Sequence, residues 1–476
     1  PVPIEGGEAA ITAALEASRQ TPVAAPVVAA AMEWPYTDFG TPTQASDRTE
    51  IADLGATLVT FPNGVRLTVK PTTFADEQIL VSVRAGQGYL AVPGDRAAPM
   101  YAAPSAVSEG GLGRLTRSQL EQVLAADVVG STFEVSEDAY QFGGSTRPED
   151  FALQMQVLAA YLTDPGWRPE PFAQLKGSLP QQLDQLAATP GGAFALYVGG
   201  LLSSGDKRFG LPTREEIAAS ELSDLRGLVS GSVAQGPLEV VVVGEVTVEE
   251  AVAAVASTFG ALPARSAAPP PSPAALRRVF PAATVEPVRL QHTGIPTQAL
   301  GFVAWPTVDS ISDRTEARIV RLLARVLQLR VTDELREKQG VAYSPGASST
   351  SSTVFPGYGY IFTQVETPPE ALPGFFETVE AITASLRDAP VTDDELNRAR
   401  LSAVEAVRRA QATNGWWLGS LTGVHDRPSE VEAIRTAVSD LEAVTPSDLQ
   451  RAARQYLKPD TAWRATVTSS NAAPAQ

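Results

Sequence analysis

The imidazole chemistry open to this chain rests on two residues, His292 in Leu-Gln-His-Thr-Gly and His425 in Gly-Val-His-Asp-Arg-Pro. A catalytic zinc takes two or three such nitrogens, often from one turn of a helix. Here they stand 133 positions apart with no neighbouring ligand pattern, so both are expected to cap or hydrogen-bond locally and not to hold a metal. Cysteine is absent, which excludes disulfides, thiol nucleophiles and cysteine-ligated metals. Gly110-Gly-Leu-Gly113 shares only its glycines with a phosphate loop; it lacks the lysine and the preceding strand. Trp416-Trp417 follows Asn414-Gly415 near the expected end of a helix; it reads as core packing in preference to the lining of a peptide chamber. The run Ser348–Ser352 reads equally as a polar hairpin and as an edge strand offered to an extended peptide.

Composition narrows the partners. The 476 residues are 44% hydrophobic, enough for a large core and for two or more domains. A formal net charge of −17 argues against nucleic acid and anionic membranes. It is compatible with basic peptides, although plain solubility explains it as well. No run approaches the roughly 18 apolar residues of a membrane span, so no membrane insertion is expected. The chain begins at Pro1 and shows no signal peptide; it is expected to be processed or to be a piece of something longer. The absence of cysteine fits an exported bacterial protein without requiring one.

Residues 1–50, rich in Ala, Pro and Thr, read as a connector with a helix over Gly7 to Arg19. Ser266-Ala-Ala-Pro-Pro-Pro-Ser-Pro273 cannot continue a helix or a central strand. It marks a linker, residues 266–275, between a first domain over 51–265 and a second over 276–476. The two domains repeat one another. Thr146-Arg-Pro-Glu149 and Thr367-Pro-Pro-Glu370 both end a strand-like run and open a helix, 221 positions apart. Leu162-Thr-Asp-Pro165 and Leu386-Arg-Asp-Ala389 close that helix, 224 apart, and Ser223-Asp-Leu225 and Ser447-Asp-Leu449 open a later one, again 224 apart. A near-constant offset over three landmarks predicts two homologous α+β domains, each a mainly antiparallel sheet covered by helices.

Within each domain the order is the same. Thr57–Phe61 and Arg66–Lys70 about Asn63-Gly64 predict a hairpin, Asp76–Ala85 a further strand, and Val285–Trp305 the second domain's counterpart. Ile319, Leu322, Leu323, Val326 and Leu329 recur at helical spacing and predict a long helix over Asp313–Arg336. Leu238–Gly244 predicts a buried strand. Thr247 with Glu250, and Thr392 with Glu395, predict capping boxes at two helix starts.

After the long helix comes Leu335-Arg-Glu-Lys-Gln-Gly-Val-Ala-Tyr-Ser344, with Arg336 and Tyr343 seven positions apart. By spacing alone Arg336 could cap a helix C-terminus and Tyr343 could pack in a core. The run resembles the arginine–tyrosine motif of the pitrilysin, insulin-degrading enzyme and mitochondrial processing peptidase family of zinc metallopeptidases. Val240–Gly244 with the capped helix and Phe259-Gly-Ala-Leu-Pro-Ala264 resembles a second landmark of that family, and Thr392-Asp-Asp-Glu-Leu-Asn-Arg-Ala399 a third. The resemblance spans roughly residues 50–470.

That resemblance implies one half of a clamshell. In the family a first half carries the inverted zinc motif His-x-x-Glu-His and a second, zinc-free half presents an arginine and a tyrosine to the peptide. No His-x-x-Glu-His occurs here; Tyr101–Gly111, with Ser105 to Glu109, stands in the corresponding part of the first domain. The implied role is therefore the non-catalytic, substrate-binding half, inactive alone, with Arg336 and Tyr343 contacting substrate near the scissile bond. No cofactor is expected on this chain and zinc is expected in a partner half, either a separate chain or the missing part of a longer precursor. Peptides are the implied substrates and the bacterial periplasm the implied location. A catalytically inactive scaffold of the same fold, or a stand-alone peptide-binding module, are the alternatives.

Overall fold

The computed structural model describes residues 6–20, 32–267, 269–338 and 345–471. The chain separates into two units, Pro1–Trp34 and Pro35–Gln476. The first holds α1 (Gly7–Gln20), one residue longer than the sequence predicts and with none of its residues buried.

In the second unit, residues up to Gly244 supply seven strands: β1 (Asp47–Ile51), β2 (Ala56–Thr60), β3 (Arg66–Pro71), β4 (Ile79–Ala85), β5 (Thr132–Val135), β6 (Tyr140–Thr146) and β7 (Leu238–Gly244). With them come α2 (Ala103–Ser108), α3 (Arg117–Val123), α4 (Phe151–Thr163), α5 (Pro169–Leu186), α6 (Pro190–Leu202), α7 (Arg214–Ala219), α8 (Leu222–Gln235) and α9 (Val248–Ser257). The expected hairpin is β2–β3. Gly64 takes φ +86° in its turn, and Asn63 ties the turn down by donating to the carbonyls of Phe259 and Leu262. The fourth strand starts at Ile79, three residues after the predicted Asp76.

The remaining residues supply β8 (Val288–His292), β9 (Ala299–Pro306), β10 (Gly346–Ser351), β11 (Gly359–Thr367) and β12 (Trp463–Ser469). Their helices are α10 (Arg314–Thr332), α11 (Leu372–Asp388), α12 (Asp393–Gln411), α13 (Asn414–Leu421), α14 (Ser429–Arg435), α15 (Ser439–Ala443) and α16 (Pro446–Tyr456). The region 285–305 thus holds two strands, and they do not pair with each other: β8 lies parallel to β12, while β9 is antiparallel to β12 and β11.

The two sheets share one strand order. The first runs β1-β2-β3-β7-β4-β6-β5 and the second β10-β11-β9-β12-β8. Read from the parallel pair outward, β3-β7-β4-β6-β5 and β8-β12-β9-β11-β10 are the same topology, with β1 and β2 as an extension of the first. Each sheet is mainly antiparallel with a single parallel pair, β3–β7 or β8–β12. β7, in the middle of the first, is buried along its whole length, as its four consecutive valines imply.

Strand β9 shows how the second sheet is covered. Val303 and Trp305 face a core built with α10, α11, α12 and α16, while Leu300, Phe302 and Ala304 face the opposite way. That opposite face is filled by α6, which belongs in sequence to the first domain: Phe194 meets Phe302 at 4.7 Å between ring centroids. The exchange is reciprocal. Leu421, Val424 and Ile434, from α13 to α14, bury against Leu54, Ala56, Val241 and Val243 of the first domain. Each sheet therefore borrows helical cover from the other half of the sequence.

Two local expectations are corrected. Thr392 caps α12 by accepting from the Glu395 N–H, but the Glu395 carboxylate does not return to the cap; Arg330 takes both of its oxygens, at 2.6 and 2.9 Å. Trp416 and Trp417 lie in the first turns of a new helix, α13, because α12 ends at Gln411. The box at Thr247 and Glu250 forms as expected.

Candidate functional site

Helix α10 positions Arg336. Asp313 caps it by accepting from the Glu316 N–H at 2.8 Å, and Ile319, Leu322, Leu323, Val326 and Leu327 bury its apolar face. At Asp333 the ladder widens into a π turn, Asp333–Lys338. The longer loop of each hydrogen bond in such a turn changes the angular spacing of its residues, so those that follow leave the stripe of the preceding helix. Leu335 remains buried while Arg336 is exposed. The sequence predicts one helix through Arg336; the structure ends the α-helix at Thr332 and carries Arg336 on the π turn. Tyr343 lies outside the described residues.

Two side chains brace that end of α10. Arg330 joins it to α12 through the Glu395 carboxylate and to α11 through Ser385 Oγ at 2.6 Å. Gln328 joins it to the start of β10: its Nε2 donates to the Pro345 carbonyl at 2.9 Å and its Oε1 accepts from the Ala347 N–H. A side-chain amide thus makes the two hydrogen bonds that a neighbouring strand would make. β10 is the outer strand of its sheet, and Ser348–Ser351 belong to it. Sequence reading missed Gln328 and Arg330, because their partners lie 17 to 65 positions away and carry no local signature.

The other singled-out residues are structural. His292 is buried; its Nε2–H donates to the Gln298 carbonyl at 2.8 Å and its Nδ1 accepts from the Gly294 N–H at 3.1 Å. His425 does not bond locally as expected: its Nε2 donates to the Leu67 carbonyl at 3.2 Å, and burial holds its pKa below the usual imidazole value. Among the described residues, no three His, Asp or Glu side chains gather as ligands. Gly111 and Gly113 hydrogen-bond to Gly166 and Asp164 beyond the end of α4. The tryptophan pair packs edge to face at 4.9 Å against the first sheet, with Trp417 under Lys70 Nζ at 3.9 Å and its Nε1–H on the Gln411 carbonyl. This is the core reading of the pair.

The corresponding stretch of the first domain is built differently. Between β4 and β5, where the second domain has α10, stand the short helices α2 and α3, with Ser105 on α2 and Glu109 exposed just after it. A charged network joins the two domains elsewhere. Arg84 on β4 pairs with Asp138 at 2.7 Å and Glu239 at 3.2 Å, and Asp138 also meets Arg427 at 3.2 Å. Burial alone would raise the Asp138 pKa, but Arg84 and Arg427 outweigh it and hold the carboxyl below its usual range.

The family model described as the peptidase M16 inactive domain matches residues 235–402. Those residues are a peptidase M16 inactive domain. The matched stretch contains Arg336, Tyr343 and all of α10, and it bears out the family resemblance read from the motif. The chloroplastic stromal processing peptidase of Arabidopsis thaliana is 22% identical over 478 residues, covering 87% of this chain and 37% of that protein. Among solved structures, the periplasmic protease PqqL from Escherichia coli matches with a TM-score of 0.75 at 18% identity, covering 97% of this chain and 51% of that one. A peptidase M16 inactive domain from Pseudomonas fluorescens matches with a TM-score of 0.73 at 15% identity, covering 89% of this chain and 100% of that one. The chain therefore spans about half of PqqL and little more than a third of the Arabidopsis protein. Among the described residues, no helix is long and apolar enough to cross a membrane.

Proposed function

We propose that this chain is the zinc-free half of an M16 metallopeptidase, pairing with a zinc-bearing half to enclose and cleave peptides. The observation that carries the reading is Arg336: an exposed side chain on the π turn that continues α10, inside the segment matched to the inactive domain, with Gln328 and Arg330 tying the end of that helix to β10, α11 and α12. The sequence carries no His-x-x-Glu-His, so zinc is assigned to the partner half, where it would activate the attacking water. The work of this chain is to bind and orient. Arg336 and, seven positions on, Tyr343 can each donate to a peptide carbonyl oxygen near the bond being cut, one with a fixed charged fork and one with a neutral hydroxyl. The outer strand β10, which begins three positions after Tyr343, can pair with an extended peptide. The periplasm is the proposed location, supported by the similarity to PqqL.

The test is a zinc-dependent assay with quenched fluorescent peptides. The chain alone should be inert and its mixture with the zinc-bearing half active. Arg336→Ala and Tyr343→Ala should each cut turnover by about 10²–10³. An active mixture indifferent to both substitutions would make the pair structural. No cleavage in any mixture would leave the fold as a scaffold.

A further inference from the structure

Helix α10 is buried on most of its circumference, against β10, β11, α11, α12 and α16. Arg321 and Arg325 interrupt that burial. Both are exposed, while Val320, Leu322, Leu323, Ala324, Val326 and Leu327 around them are buried. Solvent thus reaches this central helix along a narrow strip, and arginine occupies it on two successive turns.

Four arginines on or beside the helix are matched with carboxylates. Arg314 pairs with Glu430, Arg318 with Asp440, Arg330 with Glu395, and Arg451 with Glu316. Arg321 and Arg325 make no hydrogen bond or ion pair with any described residue. Like charges four positions apart disfavour a helix, and Arg318 stands one turn earlier on the same stripe. The pair lies mid-helix, too far from the C-terminus to gain from the helix dipole. The chain has 54 acidic residues against 37 basic ones, so an acid-rich protein leaves two adjacent cations unanswered. Arg325 precedes Arg336 by 11 positions, a rise of about 15 Å that an extended peptide covers in about five residues.

We infer that Arg321 and Arg325 form an anion subsite that receives acidic side chains of the bound peptide, about five residues from the bond presented at Arg336. The subsite names a substrate class, acidic peptides, and rests on the peptidase reading above for its position relative to the cut.

Binding can be read without cleavage. A fluorescein-labelled alternating Gly–Glu decapeptide is titrated with the intact chain and followed by anisotropy, beside a Gly–Gln decapeptide. The acidic peptide should bind at least about tenfold more tightly. Joint Arg321→Gln and Arg325→Gln should erase that ratio, and joint Arg321→Lys and Arg325→Lys should keep most of it. Equal affinity for the two peptides overturns the inference, and so does a ratio that survives the Gln pair. Loss of the ratio in both the Gln and the Lys pair also overturns it, because it marks damage to the helix and not lost charge. If the Gln pair weakens capture of the zinc-bearing half and spares peptide affinity, the strip is a contact between halves and the inference fails. An arginine-dependent acid preference without any cleavage sinks the peptidase reading and leaves the subsite standing. Cleavage that needs Arg336 without an acid preference sinks the subsite alone.

Discussion

Glu239 receives the Gly423 N–H on both carboxylate oxygens, at 3.0 and 2.9 Å, across 184 positions of sequence. Glu239 lies on β7 in the middle of the first sheet, only 2% exposed, and Arg84 holds the same carboxylate at 3.2 Å. Gly423 follows α13, the helix that the second domain lends to this sheet, and takes φ +83°. A Cβ there would come within 2.5 Å of the Arg427 guanidinium. The link is a buried charge answered by a backbone amide and an arginine. Glu239→Ala leaves the Gly423 amide without its acceptor while Arg84 keeps Asp138 at 2.7 Å, and is expected to cost about 1–3 kcal/mol. Glu239→Gln, which keeps an acceptor, should cost less, and Gly423→Ala about 1 kcal/mol or more from its positive φ. Urea unfolding midpoints at constant slope check all three.

Tyr36 offers a pH signature. Its hydroxyl donates to Asp164 Oδ2 and accepts from the Arg114 N–H, both at 2.8 Å. Burial first, and then the neighbouring Asp164, push its pKa from 10.0 to about 12 against the pull of the Arg114 amide. The folded value is the raised one, so the contribution is complete below pH 10 and lost as pH rises from 10 to about 12. Stability measured at pH 8, 10 and 11.5 should fall less steeply in Tyr36→Phe than in the parent. At pH 8 the substitution should cost about 1 kcal/mol for its lost hydrogen bonds. Parallel pH curves for the two proteins would show that Tyr36 ionises as freely folded as unfolded.

The helix exchange couples the two sheets. Phe194, on α6, is 6% exposed and packs into the second sheet beside Phe302. Phe194→Ala is expected to destabilise by about 3–5 kcal/mol. Far-UV circular dichroism and tryptophan fluorescence should report a single, earlier transition. Trp305 and Trp463 belong to the second sheet, whereas Trp416 and Trp417 pack on the first. Two separated transitions would mean that the halves unfold independently despite the exchange.

Gln328 tests the positioning of the candidate site. It makes no described contact with Arg336 but pins the start of β10 to α10. Gln328→Ala should cost about 1–3 kcal/mol, because a backbone donor and acceptor lose their partner. In the two-half assay it should also lower turnover, and the double variant with Arg336→Ala should be little worse than Arg336→Ala alone. Fully additive losses in that cycle would separate Gln328 from the arginine.

Much of this was legible before any coordinates. The capping box at Thr247 and Glu250, the hairpin at Asn63-Gly64 and the helical spacing of Ile319 to Val326 are local signals, each complete within a few turns. Glu395 shows where such signals fail: it stands at the right spacing to close a box with Thr392, yet a guanidinium 65 positions away binds its carboxylate. A charge-assisted bidentate pair outweighs a single bond to a backbone amide. Trp416-Trp417 show the same limit, since the break after Gln411 that starts α13 lets both rings cover a sheet of the other domain.

By itself, the sequence determined the duplicated α+β plan, the absence of a zinc motif and the motif that carries Arg336 and Tyr343. Composition, periodicity and a constant offset are properties of the chain as a string. Only the tertiary structure decided which helix covers which sheet, which carboxylate answers which arginine, and that Arg321 and Arg325 are left with none. Those outcomes join residues that sequence separation hides, and packing and desolvation act on distance in space.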